Sequence, residues 1–380
     1  MADPVPDLEP VITGLSALSA CGRGAEVLYE RAAAGEPAFG PVTRFDVSRF
    51  RAGAAAQLPG NPVLADELAA VTEEACTAAR LSAGQRAGSR LLLAGHTDPA
   101  AARLPAADRA RRTPAADART LADRCGLRAG HRAYTTACVA GSTAVADAAA
   151  AIRTGSAERV VVAAGYLVDE EHFALFDAGR ALAPDGRVRP FSAGRQGMVL
   201  GDGVAAVVLE SAAAARRRGA PVLARLAGWG RAGDAHHVSQ PHPQGTGLAR
   251  AVRNALHRAG RRPEDIGYVN AHGTGTAASD AAETVGLRAA LGDRAALVPV
   301  SSSKSVHGHT LESSGLLELV VTVGTLRAGR LPVNAGYLGA DERCGLNLVT
   351  EGPHRAAPRY ALSLNAAFGG ANTALLVGAA

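Results

Sequence analysis

Short apolar runs of strand length alternate with longer alanine-rich runs along most of the 380 residues, and past residue 220 the alternation begins again. Parallel strands need a crossover of a dozen or more residues, usually a helix, so this pattern commits the chain to an α/β architecture with buried sheets. The first block predicts a strand at Pro10-Val11-Ile12-Thr13-Gly14, a helix over 62–82, a strand over 90–95 and a helix over 115–128. An alanine-rich helix over 141–155 follows, then strands at 160–165 and 204–210. The basic stretch SAAAARRRG (211–219) closes the block. The second predicts a strand in PVLARLAGWG, then helices over 246–260, 280–292 and 313–328 between strands at 266–271 and 297–302, and finally strands at 359–365 and 373–378. Element order alone, with no sequence repeat behind it, predicts two successive halves, 1–220 and 221–380. The arginine-rich segment 101–120 reads as a surface excursion.

A formal charge of +5 with only 4% aromatic residues, and no basic run interleaved with aromatics, argues against nucleic acid as a partner. The mild arginine excess suits steering of a small acidic protein. Five cysteines, an odd number without CxxC spacing, point to free thiols in a reducing compartment. The start MADPVPDLEP lacks the basic and then apolar character of a secretion signal, and no apolar run reaches membrane-spanning length. These features predict a cytoplasmic chain with no membrane contact.

Of the 40 lysines and arginines only one is lysine, Lys304, within Ser302-Ser303-Lys304-Ser305-Val306-His307-Gly308-His309. A compact ammonium and a flat guanidinium fork are not interchangeable, so a solitary lysine in an arginine-biased chain marks a position that demands a point-charge donor. Three other segments carry chemistry. In Thr136-Ala137-Cys138-Val139-Ala140-Gly141-Ser142 a thiol stands where an extended run meets a helix N-terminus, whose unpaired N–H groups favour thiolate. Asn270-Ala271-His272-Gly273-Thr274-Gly275-Thr276 ends a strand with a glycine-flanked histidine, and Phe368-Gly369-Gly370-Ala371-Asn372 is a glycine-rich turn between two strands.

Together these segments resemble the β-ketoacyl synthase family of condensing enzymes. RPFSAGRQGMVLGDGVAAVVLE (189–210), NAHGTGTAASDAAE (270–283) and SSKSVHGHTLESSGLLE (302–318) follow its signatures in order and spacing. The elongating branch, with one cysteine and two histidines, fits better than the initiating branch. The resemblance implies a thiolase-like fold: two similar βα halves in a layered α-β-α-β-α sandwich, assembled as a homodimer or a heterodimer with a related chain. It implies decarboxylative Claisen condensation of an acyl-cysteine with malonyl-acyl carrier protein, the substrates riding on the carrier's phosphopantetheine with no separate cofactor. By the same resemblance Cys138 is the nucleophile and the N–H groups of Cys138 and Phe368 form the oxyanion hole. His272 and His309 stabilise the enolate, Lys304 holds His272 and Glu318 in one polar network, Thr274 and Thr276 bind the pantetheine arm, and Phe368 is the gating aromatic.

The chain departs from the family where Ala366 and Ala367 precede Phe368. It departs again where Glu312, Ser313 and Ser314 stand in place of small residues after His309, and in a short stretch between Gly95 and Cys138. These departures keep two alternatives open: acyl transfer from Cys138 without decarboxylation, and a non-condensing partner subunit, although the latter typically lacks the nucleophile. A thiolase would need a second cysteine in the C-terminal glycine loop, and residues 366–376 contain none. His236, His237 and His242 read as a structural loop, His307 with His309 lacks a third ligand, and no metal is expected. Gly201-Asp202-Gly203 is a weak match to a nucleotide loop.

Overall fold

The computed structural model describes residues 6–97, 101, 103–109 and 111–380. The first half contributes strands β1 (Pro10–Ser19), β2 (Arg90–Ala94), β3 (His131–Tyr134), β4 (Arg159–Tyr166) and β5 (Gly203–Ser211). The second contributes β6 (Ala224–Gly233), β7 (Ile266–Asn270), β8 (Pro299–Ser301), β9 (Asn347–Leu348), β10 (Tyr360–Ala366) and β11 (Ala371–Ala379). The principal helices are α1 (Leu64–Ala78), α2 (Pro114–Arg124), α3 (Ala140–Arg153), α4 (Thr246–Ala259), α5 (Ala277–Leu291) and α6 (Ser314–Ala328).

The strands lie in the order β3-β2-β4-β5-β1 in one half and β9-β8-β7-β10-β11-β6 in the other. In each half the inner strands are parallel, and the last two join antiparallel: β4–β5–β1 in the first, β10–β11–β6 in the second. The first strand of each half meets its counterpart, with Val11 opposite Arg225 and Ile12 opposite Ala224. The two sheets enclose α3 and α6, which touch strands of both. α6 is buried from Ser314 through Val323, as a helix apolar on every side must be. α1 and α2 cover the outer face of the first sheet, α4 covers that of the second, and α5 packs on α4. Five alternating layers result, the thiolase-like arrangement.

Both outer faces rely on the same device. A Cβ on Gly14 of β1 would lie 2.3 Å from the Ala75 carbonyl oxygen of α1, and one on Gly230 of β6 would lie 1.8 Å from the Ala251 carbonyl oxygen of α4. Only glycine lets strand and helix backbones approach so closely.

The segment 101–120 departs from the surface excursion expected of it. Ala101 is buried, and from Pro114, capped by the Thr113 hydroxyl on the Ala116 amide, the chain forms α2. Ala118 and Leu121 of that helix join the core under α1. Among the described residues no helix is long and apolar enough to cross a membrane.

Gly230→Ala is expected to cost about 2–3 kcal/mol by forcing α4 off the sheet. Gly233→Ala, on the same strand with nothing near its Cβ position, should stay within about 0.5 kcal/mol of wild type. Urea unfolding of the two variants side by side measures the difference.

Candidate active site

The chemistry-bearing loops leave the C-terminal ends of the parallel strands, where α/β sheets place their ligands. β3 leads into a tight turn, Ala137–Val139, and then α3, with Cys138 in the turn. Ala137 takes φ +48° and Leu311, two residues past His309, takes φ +44°. These left-handed conformations cost a non-glycine residue about 1–3 kcal/mol each, and such strain gathers at functional positions.

His272 follows β7. The Glu283 carboxylate of α5 fixes its backbone by accepting from the His272 amide at 2.7 Å and the Gly273 amide at 2.8 Å. Lys304 follows β8, 1% exposed, and its ammonium donates to the Glu318 carboxylate of α6 and lies 3.4 Å from His272 Nδ1. Asn365 of β10 donates to the other Glu318 oxygen at 2.6 Å. An ammonium can only donate, so His272 Nδ1 accepts and Nε2 carries the ring proton. His309 Nδ1 pairs with the Ser314 hydroxyl at 2.9 Å, and that hydroxyl also accepts from the Thr310 amide at 3.2 Å. A hydroxyl donates or accepts, so His309 keeps both neutral tautomers. The imidazoles stand edge to face, 5.6 Å between ring centres.

Cys138, His272, His309, Thr274, Thr276 and Phe368 line one cavity of about 620 Å³. Thr274 and Thr276 hydroxyls sit 3.0 Å apart on its wall, and the Phe368 ring, half-exposed at the mouth, leans on Phe176 at 5.6 Å. Lys304, which reaches His272, and its partner Glu318 are not on the cavity wall.

Electrostatics correct one expectation. The N-terminus of α3 was expected to favour thiolate at Cys138, yet burial pushes the thiol up to about 12. The Glu312 carboxylate adds to that push, and Lys304 opposes it. Loss of hydration outweighs a helix end here, and the resting sulfur is protonated. Burial, aided by Lys304, also holds His272 and His309 well below the usual imidazole range, so both rings are neutral. Burial raises Glu318 and Glu283 to about 7.

Sequence reasoning missed the residues that hold others in place. Glu283 and Asn365 are among them, as is Asp280, which accepts from the Phe191 amide at 2.7 Å and the Gly275 amide at 3.1 Å. Asp280 and Glu283 fall inside the quoted 270–283 motif, but nothing in their spacing signals a backbone clamp. Asp202, between the two glycines compared with a nucleotide loop, is instead a buried hub. It accepts from the Val168 and Leu58 amides and pairs with Arg44. His237 accepts from the Ser239 and Gln240 amides and thereby shapes its own loop. Among the described residues His96, Asp169 and His172 alone group their ligand atoms tightly enough to hold a metal ion, within 4.8 Å. Asp169, however, already accepts from the His172 amide and pairs with its ring at 2.8 Å, as a helix N-cap does.

Residues 110–215 match the β-ketoacyl synthase N-terminal domain and residues 223–337 the C-terminal domain. The chain belongs to the β-ketoacyl synthase family. It is 39% identical to Nodulation protein E of Rhizobium meliloti over 264 residues, 69% of this chain and 65% of that protein. To 3-oxoacyl-[acyl-carrier-protein] synthase 2 of Staphylococcus aureus it is 33% identical over 257 residues, 66% of this chain and 64% of the relative. The match thus spans just under two thirds of the length of these curated relatives. Among solved structures, the ishigamide ketosynthase/chain length factor superposes with a TM-score of 0.90 at 28% identity, over 98% of this chain and 99% of that one. A β-ketoacyl synthase from Burkholderia phymatum STM815 does so with 0.88 at 26%, with the same coverage.

A thiol titrating near 12 is thiolate in only about one part in 10⁵ at pH 7. Iodoacetamide should therefore modify Cys138 about tenfold faster for each pH unit between 7 and 10, with no plateau. A plateau beginning near pH 7 in the mass-spectrometric rate would show a stabilised thiolate instead.

Proposed function

We propose that the chain catalyses decarboxylative Claisen condensation of an acyl group held on Cys138 with malonyl-acyl carrier protein, in fatty acid or polyketide assembly. One observation carries this reading: a buried thiol and two neutral imidazoles face the same cavity, and one imidazole is backed by a buried ammonium–carboxylate pair. In the first half-reaction the sulfur forms a bond to the acyl carbonyl carbon and the carrier's thiol leaves. The amides of Cys138 and Phe368 receive the oxyanion. His309, whose ring keeps both tautomers, takes the thiol proton and passes it to the departing carrier sulfur, so that its ring is neutral again. In the second half-reaction the malonyl group loses carbon dioxide, and the electron pair of the broken carbon–carbon bond becomes an enolate. His272, its Nε2 proton held in place by Lys304 at Nδ1, donates to that oxygen together with His309. The enolate carbon bonds to the acyl carbonyl carbon, the carbon–sulfur bond to Cys138 breaks, the expelled sulfur takes a proton from solvent, and the β-ketoacyl product leaves on the carrier two carbons longer.

Neutral imidazoles suit this task because an enolate in a dry cavity needs fixed donors and no competing acid. Thr274 and Thr276 would hold the pantetheine arm, and Phe368 would gate the mouth. Residues 1–220 would supply the nucleophile, and 221–380 the histidines and lysine. An acyl carrier protein is the expected partner, and the substrates need no cofactor beyond its phosphopantetheine. A dimer with a second copy or a related chain is expected, as the name of the ishigamide ketosynthase/chain length factor describes for that assembly. The five cysteines, all unpaired, fit work in the cytoplasm.

Incubation with acyl- and malonyl-carrier should release carbon dioxide and lengthen the acyl chain by two carbons. Acylated Cys138 without carbon dioxide release would instead favour simple acyl transfer, and neither event would favour a non-condensing subunit. Lys304→Arg should lower condensation at least 100-fold while leaving part of the Cys138 acylation, because a guanidinium does not fit between Glu318 and His272. Wild-type condensation in that variant would remove Lys304 from the mechanism.

A further inference from the structure

The duplicated topology puts a second histidine where His272 has its counterpart. β2 occupies in the first sheet the place β7 occupies in the second, and each carries a histidine two residues past its last residue, His96 after Ala94 and His272 after Asn270. His272 Nδ1 faces Lys304; His96 Nδ1 faces the Glu312 carboxylate at 3.1 Å. Glu312 is 5% exposed, on the turn Leu311–Ser313, which packs against both the Cys138 turn and β4. Beside the pair lies Tyr166, wholly buried, its ring 5.7 Å from that of His96.

On the far side of this pair is a second cavity of about 230 Å³, lined by Leu64, Leu68, Leu93, Leu121 and the His96 ring, among others. Among the described residues it shares no lining residue with the cavity of Cys138. Glu312 and His96 link the two: the Glu312 turn packs on the Cys138 turn, Glu312 pairs with His96, and His96 lines the second cavity. An alkyl chain following that route would have to displace a buried carboxylate from its partner, a step no apolar contact repays.

We propose that the Glu312–His96 pair is the specificity-determining wall of the acyl site: it stops the chain on Cys138 short and selects short acyl groups, and a small residue at 312 would join the two cavities into a longer apolar channel. The proposal rests on the reading of Cys138 as the acylated residue. The pantetheine arm fills the outer cavity, so the acyl tail is directed inward, onto this wall. Glu312 sets chain length by its bulk and its bond to His96, and is not itself a catalytic residue.

The test is acylation of Cys138 by acyl-pantetheine thioesters of two to ten carbons, followed by intact mass. Wild type should take the ten-carbon group at least tenfold more slowly than the two-carbon group. In Glu312→Ala, or in Glu312→Ser should that variant fold better, the gap should close to within about threefold. Glu312→Gln, which keeps the bulk, should retain it. Equal rates in wild type, or an unchanged gap in the small variants, overturns the proposal. Alkyl pantetheinyl disulfides of the same lengths supply a readout free of acyl chemistry, since attack by Cys138 expels the pantetheine thiol. A length gap with the disulfides but no acylation by any thioester keeps the wall and sinks the condensation reading. A gap in neither sinks the wall.

Discussion

One buried ammonium holds the centre of this protein together. Lys304 reaches from the loop after β8 to Glu318 on α6 and to His272 after β7, and Asn365 on β10 secures the other oxygen of Glu318. Three strand ends of the second sheet and the central helix thereby share one polar knot in an otherwise apolar layer. A charge so placed is tolerated only when paired and fully hydrogen-bonded, and taking away one member leaves the others desolvated and unmatched. This explains why a chain that uses arginine at every other cationic position keeps a lysine here. A planar fork would need partners around its whole edge, whereas the contacts at Lys304 converge on a single nitrogen.

The two-sheet architecture determines what that knot can act on. Cys138 comes from the end of β3 in one half and the histidines from loops after β7 and β8 in the other, and α3 and α6 run between the sheets and carry the two sets toward each other. Neither half alone holds both the thiol and the imidazoles. The strain at Ala137 and Leu311 lies on the two turns that meet at this junction. It is sustained by the burial of α3 and α6 on either side rather than by local preference.

Much of this was legible in the sequence. Strand and helix spans were readable because buried strands are runs of Val, Ala and Leu, as in β4 and β5, and because α3 and α6 are long alanine- or leucine-rich stretches. The convergence of Cys138, His272 and His309 was readable through motif order. The burial of α2 was hidden because an arginine-rich segment carries its apolar stripe in only Ala118, Leu121 and Ala122. The pairing of His96 with Glu312 spans 216 residues and no known motif, so only the folded chain brings it into view. Glu312 was visible as a departure from the small residue usual there; what it touches was not.

The protonation of Cys138 failed for a different reason. A helix N-terminus acts through a field that is easy to infer from local sequence, whereas desolvation depends on everything packed around the sulfur, contributed here by the Leu311–Ser313 turn, α6, β10 and β11. When the two compete, the desolvation that only the whole fold creates wins. Desolvation likewise keeps the imidazoles neutral, so the ammonium of Lys304 stands beside His272 while the two rings themselves stay uncharged. A site arranged this way holds its sulfur at rest as a thiol. Burial that strips a thiol and two imidazoles of water favours their uncharged forms together, because each would have to be ionised without hydration.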